Sequence, residues 1–214
     1  MKQLIYSVLS TIIFLAMNAA DAITLQVLDH QGLPLENAVV VLPSIAATPT
    51  TQPLVMDQRN RQFSPSVLTA SAGQLVAFPN SDNVRHHVYS FSRAKPFEIK
   101  LYSGTETSPI MFDSPGIIVL GCNIHDNMIG YILVSDGQWS AVSNNDGIIH
   151  LPEFTDNTSA TLWHPQMSDR GSDVHSVTLN PKKLSAEKQI TITLDVSPAA
   201  PKTFDNFKRR YNRG

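Results

Sequence analysis

Gly116-Ile-Ile-Val-Leu-Gly-Cys122-Asn-Ile-His125-Asp-Asn-Met128-Ile-Gly-Tyr-Ile-Leu-Val134 reads as strand, loop, strand. Ile117 to Leu120 is a continuous apolar run following Pro115-Gly116, the pattern of a strand buried on both faces. Ile129 to Val134 reads as the strand that follows the loop. The loop between them places a thiol (Cys122), an imidazole (His125) and a thioether (Met128) close together. Hard cations prefer oxygen donors, whereas soft sulfur together with imidazole suits copper.

A short loop does not by itself surround a metal ion, so a further ligand is expected from a distant strand. His86-His87-Val88 opens one, and His86 is the expected upstream imidazole, with His87 as the alternative ligand. Adjacent strand residues face opposite sides, so only one of the pair points at the metal. His86, Cys122, His125 and Met128 together make a trigonal His2Cys plane with a weak axial thioether, the donor set of a mononuclear type 1 copper electron-transfer site.

Working outward, the chain is strands and turns. Ile23 to Leu28 alternates apolar and polar, and Ala38 to Leu42 is β-branched. Pro43 to Pro53 is Thr-rich with prolines at both ends and reads as a linker or crossing loop. Phe63 to Thr69, Gln74 to Phe78, His87 to Phe91 and Phe97 to Leu101 are further expected strands, and sustained helical periodicity is absent among them. After Ser135 come the turn Asn144-Asn-Asp-Gly147 and strands at Ile148 to Leu151, Ala160 to Trp163, Val174 to Leu179 and Ile190 to Val196. The fold class is therefore all-β.

Composition narrows the function. Of 214 residues, 42% are apolar and 16% charged, with a net charge of -2, so the basic face of a nucleic-acid binder is missing. Met1-Lys2, the apolar run Leu4 to Met17 and Ala20-Asp21-Ala22 form an expected export signal over 1–22, cleaved near Ala22. That run is short for a membrane span, so no stable membrane insertion is expected after cleavage. Cys122 is the single cysteine, so no disulfide forms within the chain, and a lone thiol in an oxidising compartment calls for an occupant such as a metal. The segment 199–214 is a basic tail.

These residues resemble the cupredoxins, and the C-x2-H-x2-M loop resembles the amicyanin-type ligand loop. Phe78-Pro-Asn80-Ser-Asp82 before His86 is similar to the family's aromatic-x-Asn stretch, and Gly116 and Gly130 fall where the family places glycines. The resemblance covers roughly residues 54–136 and implies a Greek-key β-sandwich there. It implies His86, Cys122, His125 and Met128 as copper ligands, and Asn80 as the residue that ties the two ligand loops together by hydrogen bonds. His87 stands where the family usually has Asn. The flanks, Val27 to Val39, Asn144 to Gly147 and Leu162 to Pro165, resemble a carboxypeptidase-regulatory-like β domain formed by 23–45 and 137–198 and split by the cupredoxin segment, an order found in chains described as methylamine-utilization-like. Trp163-His164 is expected to be structural, and His30, His150 and His175 are scattered.

The expected protein is thus a periplasmic, non-enzymatic carrier of single electrons with one copper ion, passing electrons through the His125 edge to a redox partner such as a cytochrome or a dehydrogenase. Ile124 and Ile129 would give that partner a small apolar patch. A periplasmic copper carrier without an electron-transfer role is the competing expectation. An oxidase or nitrite reductase would need additional copper centres and their His clusters, which the sequence does not show.

Overall fold

The computed structural model describes residues 23–48, 50–104, 108–167, 173–187 and 189–196. The expected signal over 1–22 and the basic tail 199–214 lie outside the described residues. β1 (Thr24–Asp29) and β2 (Val39–Ala46) come first. The chain then forms β3 (Leu54–Val55), β4 (Asp57–Arg59), β5 (Gln62–Ser64), β6 (Val67–Ser71), β7 (Gln74–Ala77), β8 (His86–Ser90), β9 (Phe97–Tyr102), β10 (Ile110–Phe112), β11 (Gly116–Gly121) and β12 (Ile129–Ser135). It closes with β13 (Gln138–Val142), β14 (Ile148–His150), β15 (Thr158–Trp163), β16 (His175–Leu179), the helix α1 (Pro181–Glu187) and β17 (Gln189–Leu194).

These strands build two sandwiches, as the all-β reading expects. The flanking segments supply the sheets β14-β1-β17 and β13-β2-β15-β16, and the central segment supplies β10-β7-β3 and β6-β12-β11-β8-β9, with β4-β5 as a separate hairpin. Each sandwich has its own core. Leu25, Val27, Val40, Leu42, Ile149, Ala160, Leu162 and Leu184 fill the outer one. Met56, Phe63, Val76, Phe78, Phe112, Ile118, Leu120 and Ile132 fill the central one, and Cys122 and Met128 belong to it.

The double burial expected of Ile117–Leu120 is met, β12 shares it, and together they explain how the sandwiches join. On β12, Ile132 and Val134 enter the central core, while Leu133 and the half-buried Tyr131 point the other way into a third cluster. On β11, Ile118 and Leu120 face the central core and Ile117 faces that third cluster. The flanking sandwich sends Val39, Val41, Val142 and Trp163 to meet them. Trp163 is 1% exposed and stands edge-on to Tyr131 with ring centroids 5.6 Å apart. Period-two alternation therefore gives β2 and β12 two apolar faces, one for their own core and one for the neighbouring sandwich.

Several local expectations need correction. The expected strand over Phe63–Thr69 is two, β5 and β6, parted at Pro65, and the short strands β3, β4 and β10 were not expected. Pro43 does not end β2, which runs on to Ala46. β15 pairs only with Val39–Val41, and the β13 register slips between Gln138 and Trp139 opposite this stretch, so Pro43 sits where no ladder bond needs its missing N–H. The strand β13 carries no clean alternation, every residue being half-buried, and was not expected from the sequence. The helix α1 was not expected either. Its signals are a cap and a first-turn proline: Asn180 Oδ1 accepts the N–H groups of Lys182 (2.9 Å) and Lys183 (3.1 Å), Pro181 follows it, and Leu184 is buried.

Gly130 permits one close approach that positions the site. A Cβ there would lie 2.9 Å from three atoms of the buried Phe63 side chain, so β5 can seat on β12 only if residue 130 has no side chain. Gly130→Ala is expected to destabilise the protein by about 1–3 kcal/mol through overpacking. Chemical denaturation measures this, and an unchanged midpoint would show that Phe63 moves freely.

Candidate metal centre

Two connections converge at one end of the central sandwich. β8 begins with His86, whose side chain is wholly buried, and a register irregularity lies between His86 and Val88. β11 ends at Gly121, the Cα partner of Tyr89 on β8, so the chain enters the loop at Cys122 beside the start of β8. The loop is closed by its own backbone: Met128 N–H donates to His125 O (2.9 Å) and Cys122 N–H to Met128 O (3.2 Å). Cys122 and Met128 are buried, whereas His125 is half-buried and Ile124 is 50% exposed.

His86, Cys122 and His125 form the one metal-capable cluster of His, Cys, Asp and Glu among the described residues. His86 Nδ1 lies 3.1 Å from His125 Nδ1 and 3.8 Å from Cys122 Sγ, and His125 Nδ1 lies 3.6 Å from Cys122 Sγ. A circle through points with separations of 3.1, 3.6 and 3.8 Å has a radius of about 2.0 Å. First-row ions bond imidazole nitrogen and thiolate at about 2.0–2.3 Å. An ion near the centre of this triangle reaches all three donors at bonding distance. The donor set of two imidazoles and one thiolate, with the Met128 thioether in the same loop and core, fits copper.

The second nitrogen of His86 shows why its Nδ1 faces inward. Its Nε2 lies 2.7 Å from Asp82 Oδ2. An ionised carboxylate only accepts hydrogen bonds, so Nε2 carries the proton and the Nδ1 lone pair faces Cys122 and His125. Asp82 is itself held by the β4–β5 turn. Asn60 N–H donates to Oδ1 (2.6 Å) and Arg61 N–H to Oδ2 (2.9 Å). Partial burial acts to raise the Asp82 pKa, but the bonds from Arg61, His86 and Asn60 outweigh it and hold the carboxyl below its ordinary range. A carboxylate depressed in the folded state stabilises the fold above its unfolded pKa, and that contribution is lost as pH falls through the folded value.

His125 is held below the ordinary imidazole range, first by burial and then by its nearness to the His86 ring and to the Arg61 cation, with Asp82 opposing. This favours the neutral ring, which is the metal-binding form. Nearby, burial pushes the Tyr102 phenol up to about 12, so it stays protonated and donates to Phe78 O.

The remaining site candidates are placed as follows. His87 points away from the triad: its Nε2 lies 2.8 Å from Glu98 Oε1 and its ring packs on Tyr89 at 5.2 Å. The Asn80 side-chain amide donates to Val84 O and Tyr102 O, each at 2.9 Å, and its oxygen accepts Asp82 N–H at 3.0 Å. Those bonds brace the loop leading into His86 and fasten it to β9, without reaching the 122–128 loop. His164 is buried with Nε2 3.1 Å from Glu36 O, and its Nδ1 accepts Gln166 N–H. His30, His150 and His175 are exposed and scattered.

Asp82 is the functional residue that the sequence reading missed. Its signal was a carboxylate four positions before a candidate ligand histidine, which a turn-rich stretch supplies without any metal nearby. Asp82→Ala removes the acceptor from Nε2 and is expected to weaken copper binding by roughly 10–100-fold. Competition with a chelator of known affinity measures it, and undiminished affinity would remove Asp82 from the site.

No protein-family model matches the chain, and no curated protein matches it. Among solved structures, the chain is similar to a reduced mutant of amicyanin, at 18% identity and a TM-score of 0.37, over 45% of this chain and 98% of that one. It is similar to a purple cupredoxin from Nitrosopumilus maritimus, at 22% identity and a TM-score of 0.33, over 38% of this chain and 96% of that one. It is also similar to a copper-containing nitrite reductase from Thermus scotoductus SA-01, at 24% identity and a TM-score of 0.38, over 49% of this chain but only 27% of that one.

Proposed function

We propose that this protein is a type 1 copper protein of the cupredoxin kind that carries single electrons between redox partners outside the cytoplasm, without catalysing a reaction of its own. The supporting observation is the buried triangle of His86 Nδ1, His125 Nδ1 and Cys122 Sγ, whose sides of 3.1 to 3.8 Å suit one soft-metal ion. Copper, when bound, supplies the one-electron couple. The chain supplies the surroundings. Asp82 fixes the tautomer of His86, the β-sandwich fixes both loop bases, and the apolar core keeps water from Cys122. Met128 is the proposed axial thioether. A donor set held rigid by strand ends changes little when the charge changes, which favours fast transfer.

His125 is the proposed exit for electrons, because it is the less buried of the two imidazoles, beside the exposed Ile124. A small contact there suits a brief redox encounter with a cytochrome or a dehydrogenase. Export through the 1–22 segment belongs to the same reading. Among the described residues no helix is long and apolar enough to cross a membrane.

The test is a copper titration of the mature protein followed by optical and electron paramagnetic resonance spectra. One equivalent of Cu(II) is expected to give an intense thiolate-to-copper band and a narrow hyperfine splitting. A protein that holds Cu(I) alone, and stays colourless on oxidation, would instead be a copper carrier.

A further inference from the structure

Asp57 is the one acidic residue buried among the described residues, at 6% exposed, and the electron-carrier reading leaves it without a role. Burying a carboxylate is costly unless hydrogen bonds compensate. Four do so here. Its Oδ1 accepts the N–H groups of Gln58 (2.7 Å) and Ser81 (3.2 Å), and its Oδ2 accepts the Ser81 hydroxyl (2.8 Å) and Arg59 Nε (2.6 Å). Burial acts to raise the Asp57 pKa, but these bonds outweigh it and keep the carboxyl below its ordinary range. The bonds to Gln58 and Arg59 stay within β4. The two to Ser81 reach another segment, and a carboxylate that served the hairpin alone would have no need of them.

Ser81 immediately precedes Asp82. The β4–β5 hairpin joins neither sheet of the central sandwich and lies along the segment 78–82 instead. Gln58 N–H donates to Pro79 O and Ser81 N–H to Gln58 O, each at 3.1 Å, and Gln58 Nε2 donates to Pro79 O at 3.0 Å. The turn amides of Asn60 and Arg61 hold the two Asp82 carboxylate oxygens. The hairpin thus grips Asp82 at both ends. Its turn fixes the carboxylate, and Asp57, through Ser81, fixes the backbone from which that side chain springs. With both ends held, Asp82 Oδ2 stays 2.7 Å from His86 Nε2.

We propose that Asp57 is a positioning residue of the metal centre, a buried carboxylate that locks Ser81 so that Asp82 is held against His86. The consequence for copper rests on the electron-carrier reading. A ligand imidazole is more basic when its other nitrogen gives a hydrogen bond to a carboxylate, and the more basic donor favours Cu(II), the more highly charged ion. Loosening the Asp82–His86 bond therefore weakens Cu(II) binding more than Cu(I) binding and raises the reduction potential. Arg59 already neutralises the Asp57 charge, so the effect is one of position rather than of field.

The experiment measures Cu(II) and Cu(I) affinity by chelator competition, and the reduction potential, in the wild type, Asp57→Ala, Ser81→Ala, Asp82→Ala and the double variant Asp57→Ala/Asp82→Ala. Asp57→Ala is expected to weaken Cu(II) binding by on the order of tenfold, the lower end of the range for partners of metal ligands, with Cu(I) binding little changed. A tenfold difference corresponds to a rise of about 59 mV for one electron. Ser81→Ala removes one of the four bonds and keeps the Asp57–Arg59 pair, so a smaller rise is expected. Once Asp82 is alanine, Asp57→Ala is expected to add nothing to the potential, whereas a purely structural loss would appear in both backgrounds. In metal-free protein, proton magnetic resonance is expected to show a slowly exchanging downfield signal from His86 Nε2–H. That signal should vanish in Asp82→Ala and exchange faster in Asp57→Ala and Ser81→Ala. Unchanged affinities in a folded Asp57→Ala protein, a potential shift that persists in full without Asp82, or unaltered His86 proton exchange would overturn the proposal. Should Asp57→Ala fail to fold, Ser81→Ala carries the same test. A wild-type protein with no reversible one-electron couple refutes the electron-carrier reading instead, and the metal-free signal still decides the role of Asp57.

Discussion

Cys122→Ser is expected to abolish the thiolate-to-copper band and to weaken copper binding by well over the roughly 100-fold that marks the loss of an outer partner of a metal ligand. The reason is chemical. Thiolate is the soft donor of the triad and the source of the charge-transfer absorption, and an un-ionised serine hydroxyl supplies neither. Cys122 is fully buried in the central core, so the replacement puts a hydroxyl in apolar surroundings, at a cost of about 1–3 kcal/mol if it finds no partner. Circular dichroism of metal-free protein separates that effect from the loss of metal. A folded variant that still turns blue with one equivalent of Cu(II) would refute the assignment of Cys122 as ligand.

Trp163→Ala is expected to give the largest loss of stability, about 3–5 kcal/mol, with the visible spectrum unchanged. Trp163 is among the largest fully buried side chains, and it lies between the sandwiches rather than in either core. Its edge-on contact with Tyr131 contributes roughly 0.5–1.5 kcal/mol beyond area burial. The truncation leaves a cavity against Val39, Val67 and Leu133. Denaturant unfolding followed by both far-ultraviolet signal and copper colour is the measurement. Coincident transitions that separate in the variant would show that this contact couples the two halves. A loss below about 1 kcal/mol would mean that the sandwiches stand independently of it.

The site was legible where chemistry is dense. Cys122, His125 and Met128 share one loop, and strand alternation allows only one of His86 and His87 to face inward; the structure turns His86 toward the sulfur and His87 toward Glu98. Asp82 was not legible, because a carboxylate in a turn is common and its role appears only when two N–H groups and an imidazole converge on it. The β4–β5 turn was hidden for the opposite reason: Arg61 stands where a glycine would have announced it. In the fold, the apolar run Ile117–Leu120 declared its two buried faces, whereas the second buried face of Ile129–Val134 appears only in the structure. β13 did not, because its residues are uniformly half-buried, and α1 has too few turns to show a period. Pro43 misled because proline ends strands only where its missing N–H would be used.

The nested order of the strands has a consequence for synthesis. Ala46 is the Cα partner of Gln138, and Ala47 N–H donates to Gly137 O at 2.8 Å, so the chain leaves the outer sandwich and re-enters it at the same spot. β1 finds both its neighbours, β14 and β17, only after that return. On a ribosome or a translocon, the two leading strands emerge long before the strands that flank them, while the central half can close as soon as β12 is out. The half with the candidate ligands is thus the first that can be completed though second in sequence, and closing it would bring the severed ends of the other half together, as a clasp draws the two ends of a strap.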